Sequence, residues 1–474
     1  MVIDRLRERV QIAKGLKRKK DLTKEARKRA LDCLGRFGQR VQDLSAADIR
    51  AVGTNALRAA RDSEAFLADA EAELGHPIDV ISGIEEARLV YIGVTNSVET
   101  EAERRLVLDI GGGSTECVLG DGDEIVLADS MHMGCVSWSE RFFGSGKLSE
   151  SRFKEAEIAA ALELRPIRYR YRDQGWQVCF GSSGTVNAIA QICKESGYSD
   201  GDISYKCLQK VRKDMVSAGS VSELALPGLK NDRAGVLAGG LAVLSALFKS
   251  LKIRRVRPAS GALREGVLLD LLGRRAGIDV RDETVLGFAS RVGVDEGQAE
   301  RVQQTALVLL NQCSEAWGLV DKERSKQFLV WAARLHETGI AFAHSRHHRL
   351  GAYLVRTADL PGFSRQEQAL LAALIELHRR RPKPEVLDTL RGDDRKLARK
   401  LAVVLRLAVR THRNRSVKPE PDLSIRVSKS SVHVQFPDEW FETHPLTVAD
   451  LKKESRYLLS LGFHLSFDDG GKSA

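Results

Sequence analysis

No two cysteines of this sequence form a CxxC pair. The seven thiols, Cys33, Cys117, Cys135, Cys179, Cys193, Cys207 and Cys313, are odd in number and scattered. That argues against a disulfide framework and predicts reduced cytosolic thiols that mostly fill cores. No window reads as an uncharged membrane span, and the N-terminus has no apolar signal core. No internal repeat stands out, and the polar tail DDGGKSA is the one biased tract. Proline is scarce, 11 in 474 residues, within a composition that is 43% hydrophobic and 29% charged. Such a chain is folded and too long for one core; two to four domains are expected.

What is present in excess is positive charge. The formal net charge is +10. The runs KGLKRKK (14–20), RPIRYRYRDQ (165–174), KIRRVR (252–257) and HRRRPK (378–383) are locally basic. Each reads either as a solvated face or as part of a field for a polyanion. Zinc-finger spacing and aromatic RNA-binding signatures are absent, so nucleic acid is not required.

The pattern of elements is α/β. Residues 4–13 read as a strand, and 21–44 as a helix with Thr23 as N-cap and Ala30, Leu34, Phe37, Val41 and Leu44 on its apolar face. IRAVG (49–53) and PIDVIS (77–82) read as strands, each followed by a helix. RRLVLDI, STECVLG and DEIVLADS read as a three-stranded meander. WQVCFGSSGTVNAIAQI (176–192) and VRPASGALREGVLLDLL (256–272) each read as strand, glycine turn, helix. Residues 283–415 read as helical; a hairpin (423–436), a helix (447–460) and a last strand, FHLSF, follow.

The stretch DIGGGSTE (109–116) concentrates the chemistry. Glycines admit backbone N–H groups close to a phosphate and permit positive φ, and a serine adds a hydroxyl donor. Acids beside a phosphate need a metal between them, and Mg²⁺ takes one or two carboxylates with phosphate oxygens and waters. Asp109, Gly111, Gly112, Gly113, Ser114 and Glu116 therefore form one metal-phosphate proposal. In ISGIEEAR, Ser82 and Glu85 fit a capping box, whereas Glu86 is left for a water-activating base or a helix-dipole partner. Arg58, in GTNALR, stands where a guanidinium holds phosphate oxygens. FGSSGT (Phe180, Gly181, Ser182, Ser183, Gly184, Thr185) and SGALREG put further N–H groups at helix starts.

These residues carry a resemblance. GTNALR, VISGIEEARL, LVLDIGGGSTE, MGCVSW, FGSSGT, LPGL, GALREGVL, LHETG and DLPGF resemble the exopolyphosphatase / guanosine pentaphosphate phosphohydrolase family, within the sugar kinase–actin–chaperone superfamily. The resemblance implies an α/β fold of two actin-like (ribonuclease H-like) domains, 1–98 and 99–278, with the active site between them. An all-α HD-like domain (279–415) and a small α+β domain (416–474) would follow. It implies removal of a terminal phosphoryl group with Mg²⁺, and K⁺ as a further cation. Glu86 would activate water, Asp109 and Glu116 would hold the metal, and Arg58 would neutralise phosphate. Gly111–Ser114 and Gly181–Thr185 would cradle phosphate. Inorganic polyphosphate is the first substrate expected, with exopolyphosphatase activity. The alternatives are pppGpp 5′-phosphohydrolase and a non-catalytic binder of polyphosphate or (p)ppGpp. A homodimer in the cytoplasm is implied, with peripheral membrane contact permitted by the basic surface.

Two departures from the family pattern stand out. Family members begin with a strand and an Asp-Leu-Gly-Ser-Asn-Ser type loop, and this chain starts at MVIDRLRERV. The expectation is a truncated start, with that segment encoded upstream of Met1. The helical part is rich in histidine, with His336, His344, His347, His348 and His378, but its His-Asp position reads His336-Glu337. An anion-binding or structural role is expected there ahead of a metal.

Overall fold

The computed structural model describes residues 6–8, 10, 12–15, 21–416, 423–469 and 472–473. The chain packs as two compact units, Met1–Ile278 and Asp279–Ala474. The strand expected over 4–13 lies partly outside the described residues. Within them, Ile12–Gly15 is a 3₁₀ turn instead. Residues 16–20 of the first basic run also lie outside.

In the first unit, helix α1 (Lys24–Val41) starts where Thr23 Oγ1 accepts from the Ala26 N–H at 3.2 Å. The helix stops three residues before Leu44, which is left 50% exposed. Strands β1 (Ala51–Gly53) and β2 (Ile78–Val80) pair in parallel. Helices α2 (Asn55–Ala59) and α3 (Ser63–Leu74) lie between them in sequence, and α4 (Gly83–Thr95) follows. The meander is present as β3 (Arg104–Ile110), β4 (Thr115–Asp121) and β5 (Glu124–Met131). Sequence patterning did not resolve α5 (Cys135–Phe143), α6 (Glu150–Leu164) and α7 (Arg168–Gln174). Next come β6 (Val178–Ser182), α8 (Ser183–Glu195), β7 (Ile203–Ser204) and α9 (Tyr205–Ala218). The unit ends with α10 (Asn231–Leu251), β8 (Arg255–Pro258) and α11 (Leu263–Arg275).

Six strands form one sheet in the order β5-β4-β3-β6-β8-β7. The meander is antiparallel, and β3, β6 and β8 run parallel. Both faces are covered, which is why the strands read as nearly continuous apolar runs. On one face Leu106 and Leu108 join Leu241 and Leu244 of α10 in the main core. On the other, Val107, Val118 and Phe180 meet Val90, Tyr91 and Val94 of α4. Helix α10 has the length and mean hydropathy, 1.7, of a membrane-crossing segment, contrary to the sequence expectation. That apolar stretch is 72% buried within the unit, as in a core helix.

Helix α4 is buried almost all round and is fixed by charge as well as packing. Arg88 grips Glu85 with two hydrogen bonds, at 2.7 and 2.8 Å, and reaches Asp270 of α11 at 2.5 Å. Gly93 and Gly266 let α4 and α11 touch backbone to backbone; a Cβ on Gly266 would meet Leu89 O at 1.8 Å.

Among its described residues the second unit opens with six principal helices, from Val280–Arg291 to Gly392–Thr411. Its strands β9 (Ser424–Val427), β10 (Ser431–Phe436), β11 (His464–Asp469) and β12 (Lys472–Ser473) form a sheet in the order β12-β11-β10-β9. The β9–β10 pair is the expected hairpin, and helix Pro445–Leu458 crosses to the parallel β11. Helices and sheet share one apolar core.

All seven cysteines are free and buried. Burial pushes the Cys193 and Cys313 thiols up to about 12, so their nucleophilic thiolates are suppressed.

Candidate active site

Strand period and register bring the acids together. Side chains alternate along a strand, so Asp109 shares the face of Val107, and Glu116 that of Val118. That is the face α4 covers. Register sets Asp109 opposite Glu116, Glu116 opposite Ser130, and Asp109 beside Ser182. The result is a row, Ser130–Glu116–Asp109–Ser182, across four strands at one end of the sheet. Glu86 stands in the first turn of α4.

Two carboxylates directly opposite each other on neighbouring strands repel. Burial raises the Asp109 carboxyl to about 7, and the Glu86 charge adds to it. Glu116 is pushed well above the usual carboxylate range by burial, then by Glu86 and Asp109. Hydrogen bonds from Ser130 and Ser114 oppose that shift, and Ser130 Oγ donates to Glu116 Oε1 at 2.8 Å. Asp109 Oδ1 and Glu116 Oε2 are enclosed acceptors without a hydrogen-bond partner.

Burial likewise raises Glu86, while Arg58 and Thr54 pull it down. Arg58 Nη1 donates to Glu86 Oε2 at 2.8 Å and to Ile81 O at 2.9 Å. The arginine expected to hold phosphate is thus engaged with the candidate base. The Ser82 cap is present, its Oγ accepting from the Glu85 N–H at 3.1 Å. The Glu85 side chain serves the Arg88 pair.

None of Gly111, Gly112 and Gly113 takes a left-handed φ, so conformational freedom is not their role. Close approach is. A Cβ on Gly113 would strike Asn55 Oδ1 at 2.4 Å. The turn is braced from behind by the start of α5: the Cys135 N–H donates to Gly111 O, and the Val136 and Ser137 N–H groups to Gly112 O, at 2.9 to 3.1 Å. Ser114 is buried, and its hydroxyl faces Glu116.

The turn 180–185 differs. Ser183 has φ 89, a left-handed backbone on a non-glycine residue, of the kind that collects at functional sites. Ser182 Oγ donates to Gly261 O at 3.0 Å, and Ser183 Oγ accepts from the Thr185 N–H at 3.2 Å. Gly181 packs under Val186 and Val256, and Thr185 is buried in the first turn of α8. Gly184 lies under the Arg233 guanidinium, where a Cβ would sit 1.9 Å from Nη2. In the SGALREG turn, Gly261 serves packing, and the Ala262 N–H donates to Glu265 Oε2 at 3.0 Å. Sequence reasoning missed Ser130, Asn55 and Arg233; the strand period is a signal for Ser130 alone.

In the second unit, four histidine rings gather: His336, His347 and His348 have centroids 5.3, 5.8 and 6.1 Å from His378. His344 is exposed. His336 and His378 each hold Nδ1 on a backbone carbonyl, Ala333 O and Ile375 O, at 2.6 Å. Among the described residues no three or more His, Cys, Asp or Glu side chains converge into a metal-holding group. Burial keeps these rings neutral. His347 and His348 are pulled from 6.5 to about 4, with neighbouring arginines adding to the effect, and so is His412. Arg379, Arg349 and Arg380 face the first two, Glu337 opposes them at His347, and Arg301 faces His412. The unfolded chain takes these protons near 6.5, the folded chain only near 4. Stability is therefore full above about pH 6.5 and falls toward pH 4, by roughly 1.4 kcal/mol per pH unit for each histidine. Urea midpoints of the full chain should drop over that window, and His348→Gln should flatten the slope. An unaltered slope in the variant would contradict this.

Residues 1–275 match the Ppx/GppA phosphatase family, and residues 280–455 match Ppx/GppA phosphatase, domain III. The chain is 36% identical over 461 residues to a guanosine-5′-triphosphate,3′-diphosphate pyrophosphatase of Aeromonas hydrophila, covering 97% of this chain and 92% of that one. Among solved structures it is similar to an exopolyphosphatase from Cytophaga hutchinsonii, with TM-score 0.50 and 25% identity, over 56% of this chain and 87% of that one. An exopolyphosphatase-like protein is similar at the same TM-score and identity, over 58% of this chain and 92% of that one. The chain belongs to the Ppx/GppA phosphatase family.

Proposed function

We propose that this chain hydrolyses the terminal phosphoanhydride of guanosine pentaphosphate, releasing inorganic phosphate from the 5′ end. The observation that carries a hydrolytic reading is the row of buried acids, Glu116 and Asp109, beside Glu86 and below a glycine turn. The full-length likeness to a guanosine-5′-triphosphate,3′-diphosphate pyrophosphatase favours this substrate. It reverses the order of substrates expected from sequence. Polyphosphate stays as the second reading, supported by the likeness to an exopolyphosphatase.

Glu86 acts as the base that orients and deprotonates water, its carboxyl raised by burial and positioned by Arg58. The two unpartnered acceptors, Asp109 Oδ1 and Glu116 Oε2, fit a hard divalent cation. Mg²⁺ held there would supply charge neutralisation to the phosphate oxygens. Gly111–Ser114 and Gly181–Thr185 line the approach, and Arg233 adds a cation over Gly184. Catalysis by these groups is mainly positioning and electrostatics.

The test is phosphate release by the full chain, with Mg²⁺, from pppGpp and from long-chain polyphosphate. We expect kcat/KM for pppGpp at least about tenfold higher, or about 1.4 kcal/mol in transition-state binding. The opposite ratio puts polyphosphate first. Binding without release from either points to a non-catalytic regulator.

A further inference from the structure

Two basic runs left unused by the acidic site, 165–174 and 252–257, converge from about 80 residues apart on one cleft of the first unit. Its volume is about 990 Å³, at the top of the range for small-molecule sites. It lies at the start of β6 and β8, beside the loop that precedes β3. Register places Val178 beside Arg105 and Ser182 beside Asp109. The cleft is therefore four residues of strand, on the order of 13 Å, from the acids and at the opposite end of the sheet.

Its charge is one-sided. Arg172, Lys252, Arg254, Arg255 and Arg257 line it, against the single acid Asp173. Asp202 lies 3.2 Å from Arg255 and 3.9 Å from Arg257, so one carboxylate answers two guanidinium groups. Lys252 and Arg254 make no ion pair among the described residues. Arg172 Nε is enclosed and has no hydrogen-bond partner, while Nη2 donates to Lys249 O at 3.3 Å. Cations held together in this way repel one another, and a polyvalent anion removes the repulsion.

The cleft also holds an aromatic platform. Trp176 lines it and is anchored on the main core. Tyr169 lies alongside, with the Arg168 guanidinium 4.6 Å from its ring centroid. An inorganic anion has no use for a half-buried indole; a base with a π face stacks on it. We propose that this cleft is a second ligand site, for a nucleoside di- or triphosphate, with phosphates on Lys252, Arg254 and Arg172 and the base against Trp176. It is separate from the acidic site and stands whichever substrate that site takes.

The experiment titrates the full chain with GTP, ATP and inorganic tripolyphosphate, reading tryptophan fluorescence and calorimetric heat. Trp176→Phe keeps a ring and removes the local reporter, so the fluorescence change should vanish while affinity stays within about threefold. Arg254→Glu and Lys252→Gln change exposed side chains, and their circular dichroism and melting should match the parent. Each should weaken nucleotide binding about tenfold or more, and affinity should fall with added salt. Tripolyphosphate should bind at least about tenfold more weakly than the nucleotides. Nucleotide affinity unmoved by Arg254→Glu would overturn the site. Equal binding of tripolyphosphate would overturn the nucleotide assignment, and so would a single-stranded oligonucleotide that binds far more tightly than a mononucleotide.

Discussion

Glu86→Gln is expected to lower kcat by about 10²–10⁴-fold with KM changed by less than about threefold. The substitution is nearly isosteric. An amide oxygen still accepts from Arg58 Nη1, which now donates to Glu86 Oε2 at 2.8 Å, so α4 and Arg58 keep their places. What disappears is the basic oxygen. Burial raises the Glu86 carboxyl and Arg58 lowers it, with burial the larger effect. A carboxylate raised in this way takes a proton from water more readily than an exposed one does. Steady-state kinetics on pppGpp, with direct binding to the variant, separate the roles. Unaltered kcat would remove Glu86 from the chemistry and leave it the helix-dipole partner its position also allows. A large rise in KM with kcat retained would make it a binding residue.

How far the sequence anticipates this site depends on the distance over which each residue acts. Asp109, Glu116 and Glu86 are legible because they follow from strand period and helix start, both local rules. The strand–turn–helix junctions are legible for the same reason. The reason for the glycines is only half legible. Composition suggests positive φ, whereas Gly113 is needed for the approach of Asn55, 58 residues away in sequence (113 − 55). Arg58 is legible as a cation but not as the partner of Glu86, since that pairing depends on how α2 and α4 pack. Arg233 has no signal in sequence at all. Sequence patterning passes over helices α5, α6, α7 and α9, although MGCVSW opens α5 and Ser204 caps α9. Helix α10 misleads in the other direction: its buried apolar length satisfies a rule written for membranes.

Asp109→Asn should abolish most turnover and yet make the metal-free protein more stable. Asp109 faces Glu116 across the β3–β4 register and feels Glu86 from α4. Its folded-state pKa, about 7, lies above the ordinary 3.8. A carboxyl raised on folding favours the folded state while protonated, and that support is lost as pH climbs from about 4 to about 7. At pH 7.5 the wild-type chain therefore carries a charge stripped of water by burial, with Glu86 nearby adding to the cost, and Asn removes it. The gain should be about 1–3 kcal/mol, after discounting for partial exposure of the residue, and should shrink to nothing near pH 4. Turnover should fall by about 10³-fold, the scale of removing one preorganised electrostatic contact. Thermal melts with and without Mg²⁺ make the comparison. The parent should gain stability from the cation, and the variant much less, because one of the two unpartnered acceptors is now a neutral amide. A variant less stable than its parent at pH 7.5 without metal would mean that Asp109 is held by native hydrogen bonds and not strained by its neighbours. A variant that keeps both activity and the full Mg²⁺ response would remove Asp109 from the metal site. Activity lost with stability gained is the outcome that burying a charged acid demands: Asp109 destabilises the metal-free fold, chiefly through lost hydration, because the reaction uses its charge.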